Sequence, residues 1–218
     1  GINLVTNPGA DTGQIRYLKS DSSVYVHTGT KWLKVGGGGL ILTGWNITGN
    51  AGTVDGTNFI GTTDNIPFNI RVNNQKAGRI DPTLLNAFYG YQSGNTNTTG
   101  FYNTAIGSGA LLLNTTGYNN VAIGYESLRS NTTALNNVAI GYQTLYSNTT
   151  SINNTAIGKY AAYSNTTGGH NTVVGVEAMY NNTSGTYNVA MGETALSQMT
   201  TGSYNVGIGH RALYTITT

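Results

Sequence analysis

Residues 120–136 read Asn120-Val121-Ala122-Ile123-Gly124-Tyr125-Glu126-Ser127-Leu128-Arg129-Ser130-Asn131-Thr132-Thr133-Ala134-Leu135-Asn136, and the same text restarts as Asn137-Val138-Ala139-Ile140-Gly141. The Asn of this Asn-x-Ala-Ile-Gly pattern recurs at Asn103, Asn120, Asn137, Asn154, Asn171, Asn188 and Asn205, always 17 residues on. One step earlier lies Asn86-Ala87-Phe88-Tyr89-Gly90, a degenerate copy of the kind that ends a repeat array, so about eight units are expected.

Each column of this register carries its own physics. The Gly column, Gly90 through Gly209, rejects a Cβ in every unit, which calls for a positive φ or a backbone approach too close for a side chain. Ala105-Ile106, Ala122-Ile123 and Ala139-Ile140 read as the start of a core strip, and Leu111, Leu128, Leu145, Ala162, Met179, Leu196 and Leu213 as a second apolar column. Asn114-Thr115-Thr116-Gly117 and Asn165-Thr166-Thr167-Gly168 read as turns. Gly124 to Ser130 is equally compatible with a single helical turn, because Leu128 and Arg129 are fair helix formers.

A unit with two apolar strips and two turns cannot bury a face by itself, so the units stack as coils of a solenoid. Strand-paired coils lie about 4.8 Å apart, which makes eight of them a rod of roughly 35–40 Å. Stacked Asn columns then hydrogen-bond along the rod as amide ladders. Two or three large apolar residues per coil make a thin interior, and identical chains in closed cyclic symmetry are the usual way to share one. A homotrimer is expected.

Composition agrees with this class. Only 8% of the 218 residues are charged and the net charge is +2, too little for the basic footprint that nucleic acid requires. Gly, Asn and Thr number 31, 28 and 34, a bias against helix and toward short strands and tight turns. Apolar residues at 38% and 15 Tyr argue against disorder. There is no Cys, and no run of about 18 apolar residues, so no disulfide framework and no membrane insertion are expected.

Ahead of the array the text changes. Residues 1–35 read as a β-meander built on Gln14-Ile15-Arg16-Tyr17, Val24-Tyr25-Val26-His27 and Lys31-Trp32-Leu33-Lys34-Val35, and Gly36 to Gly39 as a linker. Residues 40–82 read as a β-hairpin neck module in which 67–72 pairs with 75–80 across Asn73-Asn74, and 83–218 as the solenoid. The predicted fold is all-β: a homotrimeric parallel β-roll preceded by small antiparallel hairpin modules.

The unit Gly-Tyr-x-[Ala/Ser/Thr]-Leu-x-Ser-Asn-Thr-Thr-Gly-x-x-Asn-x-Ala-Ile-Gly resembles the repeats of trimeric phage tail fibres and of tail-fibre-like bacterial adhesins. Its Asn-x-Ala-Ile-Gly core also resembles the head repeats of YadA-type trimeric autotransporter adhesins, which are trimers of left-handed parallel β-rolls with somewhat shorter coils. Gly44-Trp45 to Gly49-Asn50-Ala51-Gly52, Asn58-Phe59-Ile60-Gly61 and Ile70-Arg71-Val72-Asn73-Asn74 look like the segment that precedes such repeats in fibre proteins carrying a C-terminal self-cleaving chaperone. The resemblance covers residues 40–218 and, loosely, 13–35. It implies an extracellular, cell-surface or virion fibre that recognises receptors on a target cell, with glycans foremost.

Catalytic chemistry is not expected. Glu126, Glu177 and Glu193 occupy different columns or distant coils, short of the paired carboxylates of glycoside hydrolysis, and His27, His170 and His210 have no triad spacing. No metal or cofactor is implied. Tyr146, Tyr163 and Tyr180 share one column and form a candidate glycan strip, because exposed tyrosines stack on sugar rings while their hydroxyls hydrogen-bond. Tyr204, His210, Arg211 and Tyr214 make a second candidate site in the last coil. Two other roles compete: a passive spacer, and an ice-binding solenoid using the Thr column at 115, 132, 149, 166, 183 and 200.

Overall fold

The computed structural model describes residues 12–18, 23–28, 32–35 and 59–216. The expected Gly36–Gly39 linker and residues 40–58, Trp45 included, lie outside them. Among the described residues there is no helix, and none long and apolar enough to cross a membrane. Residues 1–60 and 61–218 are two compact units.

In the first unit β1 (Thr12–Leu18), β2 (Ser23–Thr28) and β3 (Trp32–Val35) form an antiparallel sheet in that order. His27 pairs with Trp32 across β2 and β3, and their rings lie 4.9 Å apart.

The second unit opens with β4 (Phe68–Val72) and β5 (Gln75–Asp81), antiparallel and joined at Asn73-Asn74. Both Asn have positive φ, 47° and 57°, the twist that a two-residue hairpin turn needs. β5 also pairs antiparallel with β6 (Asn86–Tyr89). The turn between them is held by Asp81, which accepts from the N–H groups of Thr83 and Leu84 and from Arg79. Burial pushes the Asp81 carboxyl up, and the bonds from Leu84, Arg79 and Thr83 outweigh it, leaving the group below the usual carboxylate range.

From β6 onward every pairing is parallel. β7 (Thr104–Ile106), β8 (Val121–Ile123), β9 (Val138–Ile140), β10 (Thr155–Ile157), β11 (Thr172–Val174), β12 (Val189–Met191) and β13 (Val206–Ile208) stack in chain order, each residue opposite its equivalent 17 positions on. The result is a parallel β-solenoid of about seven turns. The degenerate copy, β6, is the junction strand, antiparallel to β5 on one side and parallel to β7 on the other.

Side-chain alternation on these three-residue strands corrects one expectation. The central residue points inward and is fully buried, as at Ala105, Ala122, Ala139, Ala156 and Val173. Its neighbours must then point outward. The Ile column, expected in the core, therefore lines the outer face of the sheet, with Ile106 44% exposed and Ile208 67% exposed. The core is built instead from the Ala column against Leu111, Leu128, Leu145, Met179 and Leu196. Ala162 is small in that second column, and the bulk returns one coil later in Val173 and Met179.

The helical-turn alternative for residues 124–130 is absent. Glu126 and Leu128 have φ of 51° and 48°, in the left-handed region, and the same two positions are left-handed in the other coils. A left-handed Leu costs about 1–2 kcal/mol. Burying its side chain is worth about 1.5–3 kcal/mol, which offsets the strain.

Two amide ladders run inside the solenoid. In the first, the Oδ1 of each motif Asn accepts the backbone N–H of the next, as from Asn137 to Asn120 at 3.1 Å and from Asn154 to Asn137 at 3.0 Å. Its Nδ2 donates to a carbonyl 14 residues on, as from Asn137 to Ser151 at 2.9 Å. In the second, the Nδ2 groups of Asn114, Asn131, Asn148, Asn165 and Asn182 each donate to the Oδ1 of the Asn one coil earlier, at 2.7–3.2 Å. The twelve buried Asn of the two ladders satisfy their polar atoms fully only in a stacked coil.

One buried hydroxyl has no such partner. Ser127 Oγ is enclosed and unbonded, whereas Ser93 and Thr144 in the same column donate to the carbonyls of Ala105 and Gly158. Ser127→Ala is expected to raise the unfolding free energy by about 1 kcal/mol, because it removes an uncompensated polar group from a site that is Ala in other coils. Chemical denaturation of the two proteins side by side checks this, and a loss of stability would contradict it.

Candidate functional site: aromatic ladders on the solenoid

Tyr146, Tyr163 and Tyr180 each follow a left-handed core residue, Leu145, Ala162 and Met179, and stand half-buried in one column. Their rings stack at 5.1 and 5.2 Å, inclined by only 12° and 7°. Arg129, one coil earlier in that column, lies 5.6 Å from the Tyr146 ring and also faces Glu126. Tyr160 stands edge-on to Tyr142, Tyr163 and Tyr180, and Tyr142 stacks on Tyr125 at 5.2 Å. Gln143 Nε2 donates to Glu126 at 2.7 Å beside them.

Two of these phenols, Tyr163 and Tyr142, hold their protons more tightly than usual. Desolvation pushes Tyr163 up, helped by its neighbours Tyr146, Tyr180 and Tyr160, and Tyr142 is raised by desolvation and by Tyr160 and Tyr125. The Tyr146–Tyr163–Tyr180 row carries phenol hydroxyls that can donate and accept hydrogen bonds. Its faces are spent on one another, so the three stacked tyrosines offer edges and hydroxyls outward, not open faces on which a sugar would lie.

The four residues expected to gather in the last coil do not form one group. Arg211 lies 4.6 Å from the Tyr214 ring, and Gln198 Nε2 donates to the Tyr214 hydroxyl. His210 is exposed at the neighbouring position. Tyr204 belongs to a different column, where it stacks on Tyr187 at 5.2 Å, and Tyr187 stacks on His170 at 4.6 Å. That column, immediately before the motif Asn, continues through an exposed amide ladder. Asn119 Nδ2 donates to Asn136, and Asn136 Nδ2 to Asn153, both at 3.1 Å, and Asn153 lies 3.5 Å from His170 Nε2. The position before each motif Asn is visible in the 17-residue register, but nothing in the sequence says that it is left-handed and projecting. A further stack, Phe101 on Tyr118 at 4.7 Å, runs in the adjacent column.

The Thr column has a different use. Thr115, Thr132, Thr149, Thr166 and Thr183 each donate Oγ1–H to the backbone carbonyl of the Thr in the next coil, at 2.9–3.3 Å. Asn114, Asn131, Asn148, Asn165 and Asn182, which begin the Asn-Thr-Thr/Ser sequences, are the buried second ladder and are closed to modification.

Fold and surface together define a parallel β-solenoid repeat protein with aromatic and amide ladders along its coils. In comparisons with known proteins, no family model, no curated protein and no solved structure matches the chain.

Proposed function

We propose that the chain is a non-enzymatic segment of a homotrimeric fibre, of the adhesin or tail-fibre kind, which displays its ladders to glycans on the surface of a target cell. The observation that carries this reading is the outer face of the parallel sheet. Seven strands present two columns there, Thr104 through Val206 and Ile106 through Ile208, with no charged residue in any strand. The face is rich in β-branched side chains and about 30 Å tall at the usual strand spacing. An uncharged, apolar sheet face of this extent is costly in water and is covered by a partner. Threefold symmetry brings three copies of one face together around an axis.

Light scattering on the native protein is expected to give three times the 22.9 kDa chain mass. Ile140→Lys, in the middle of the face, is expected to give a monomer. A native monomer would remove the trimeric fibre from this reading, and a glycan array probed with the intact protein tests recognition. Of the competing roles, ice binding is disfavoured because the Thr hydroxyls donate within the solenoid. A passive spacer is the outcome if the array stays silent.

A further inference from the structure

The two outward columns of the solenoid do not stop at its first coil. Ala87 and Tyr89 stand opposite Thr104 and Ile106, Ile80 and Gly78 opposite Ala87 and Tyr89, and Phe68 and Ile70 opposite Ile80 and Gly78. Paired residues of neighbouring strands share a face. One column therefore runs Phe68, Ile80, Ala87, Thr104 and on to Val206, and the other Ile70, Gly78, Tyr89, Ile106 and on to Ile208. The apolar face thus continues about 15 Å beyond β7, across β6, β5 and β4, with no charged residue in either column.

In the hairpin the two sides of the sheet exchange character. In the coils the row between the two columns is the buried Ala105, Ala122 and Ala139. In β5 and β4 that row continues as Arg79 and Asn69, and Arg71 and Lys76 pair on the same side. Lys76 Nζ donates to the carbonyl of Asn95 at 2.7 Å, and Arg79 to Asp81 at 2.8 Å. Burial, and then the charges of Arg79 and Arg71, push the Lys76 ammonium down from its usual range. The outer side instead leaves Ile80 62%, Ile70 39% and Tyr89 66% exposed. Gly78 is part of this surface, because a Cβ there would stand 3.2 Å from Ile70 Cδ1, and its absence lets Ile70 fold across the strand. A hairpin whose polar side serves its own chain and whose apolar side faces away from it is built to be covered.

Resting on the trimeric reading, we propose that the outer face of the β4–β5 hairpin packs on the same hairpin of the two other copies and sets the register in which the three solenoids align. The coils cannot set it themselves. Their outward residues repeat, Val121 and Ile123 returning as Val138 and Ile140, so a copy shifted by one coil along the axis loses only the contacts of one coil. Phe68, Ile70, Gly78 and Ile80 form a relief that recurs nowhere in the array. Only the unshifted alignment brings three such patches together, each meeting its own equivalent as closed symmetry requires.

The experiment follows dissociation of the native protein on dilution by light scattering. Ile80→Lys and Ile80→Glu are each expected to raise the concentration at which the trimer dissociates by about tenfold or more. A one-to-one mixture of the two is expected to recover most of that loss, because opposite charges then meet at one height. Ile80→Lys mixed with Ile140→Glu, four strands and about 19 Å away, is expected to recover none. Asn69→Lys puts the same charge on the other side of the hairpin and is expected to leave dissociation unchanged, which separates the face from the fold of the hairpin. An Ile80→Lys trimer as tight as the parent, equal weakening by Asn69→Lys, no recovery in the Ile80 mixture, or recovery with Ile140→Glu would overturn the role of the hairpin and leave the trimer standing. A monomeric parent would overturn both.

Discussion

Gly141→Ala is expected to lower the unfolding free energy by about 3–5 kcal/mol, enough to abolish a marginally stable fold. Gly141 has φ of 138°, a region that L side chains rarely adopt. An added Cβ would also stand 2.6 Å from the carbonyl oxygen of Gly158 and 2.7 Å from its carbon, both backbone atoms of the next coil, and 2.7 Å from Thr144 Oγ1. Neither coil can yield without breaking its own register. Gly209 separates the two contributions, because its φ is 119° but nothing lies within 4 Å of a Cβ there. Gly209→Ala should therefore carry only the conformational cost, about 1–3 kcal/mol. Thermal unfolding of both variants at one protein concentration checks the contrast. Equal losses would mean that coil-to-coil contact is not what excludes the side chain.

Asn137→Asp should be nearly as damaging at neutral pH, by about 2–4 kcal/mol. Asn137 Nδ2 donates to the carbonyls of Ser151 at 2.9 Å and Leu135 at 3.1 Å and to Asn120 Oδ1 at 3.3 Å. A carboxylate oxygen in its place faces three acceptors with no proton to offer. Burial and these oxygens raise the introduced acid's folded pKa above its unfolded value, so the penalty is complete above the folded pKa and fades as pH falls toward the unfolded one. Stability of the variant relative to the parent is therefore expected to recover between neutral pH and about pH 4. Parent Asp81 has the opposite sign, since its depressed carboxyl contributes stability that is lost as pH falls. Denaturant midpoints of both proteins across this range test the claim, and a gap that stays constant with pH would refute it.

Much of the solenoid was legible because its signal is positional. A motif that returns at Asn103, Asn120 and Asn137 without slippage sets the coil length, and the invariant Gly announces the close backbone contact that Gly90 makes with Gly107. The direction of the Ile column was misread because Ala-Ile pairs look like core, and hydrophobicity alone does not say which member of a three-residue strand turns inward. Alternation about the buried Ala decides that, and the larger residue loses. The left-handed Leu positions were hidden for the reverse reason, since Leu is among the residues least associated with that conformation.

Of the candidate site, the Tyr146–Tyr163–Tyr180 column followed directly from spacing. Its self-stacking did not, because a shared column sets which side chains are neighbours but not how their rings incline. Tyr204 was assigned to the end of the chain on proximity in sequence. Its true neighbour, Tyr187, lies 17 residues away and stacks in turn on His170.

Nearly every bond that holds a coil of this array reaches one coil up or one coil down and no farther, as in the backbone bonds from Thr104 to Asn120 and from Val121 to Asn137. No coil in the middle senses how many others exist. Gene duplication or excision in units of 51 nucleotides would therefore lengthen or shorten the molecule by whole notches while every surviving contact stayed the same, so that its reach is a heritable dimension set independently of its chemistry.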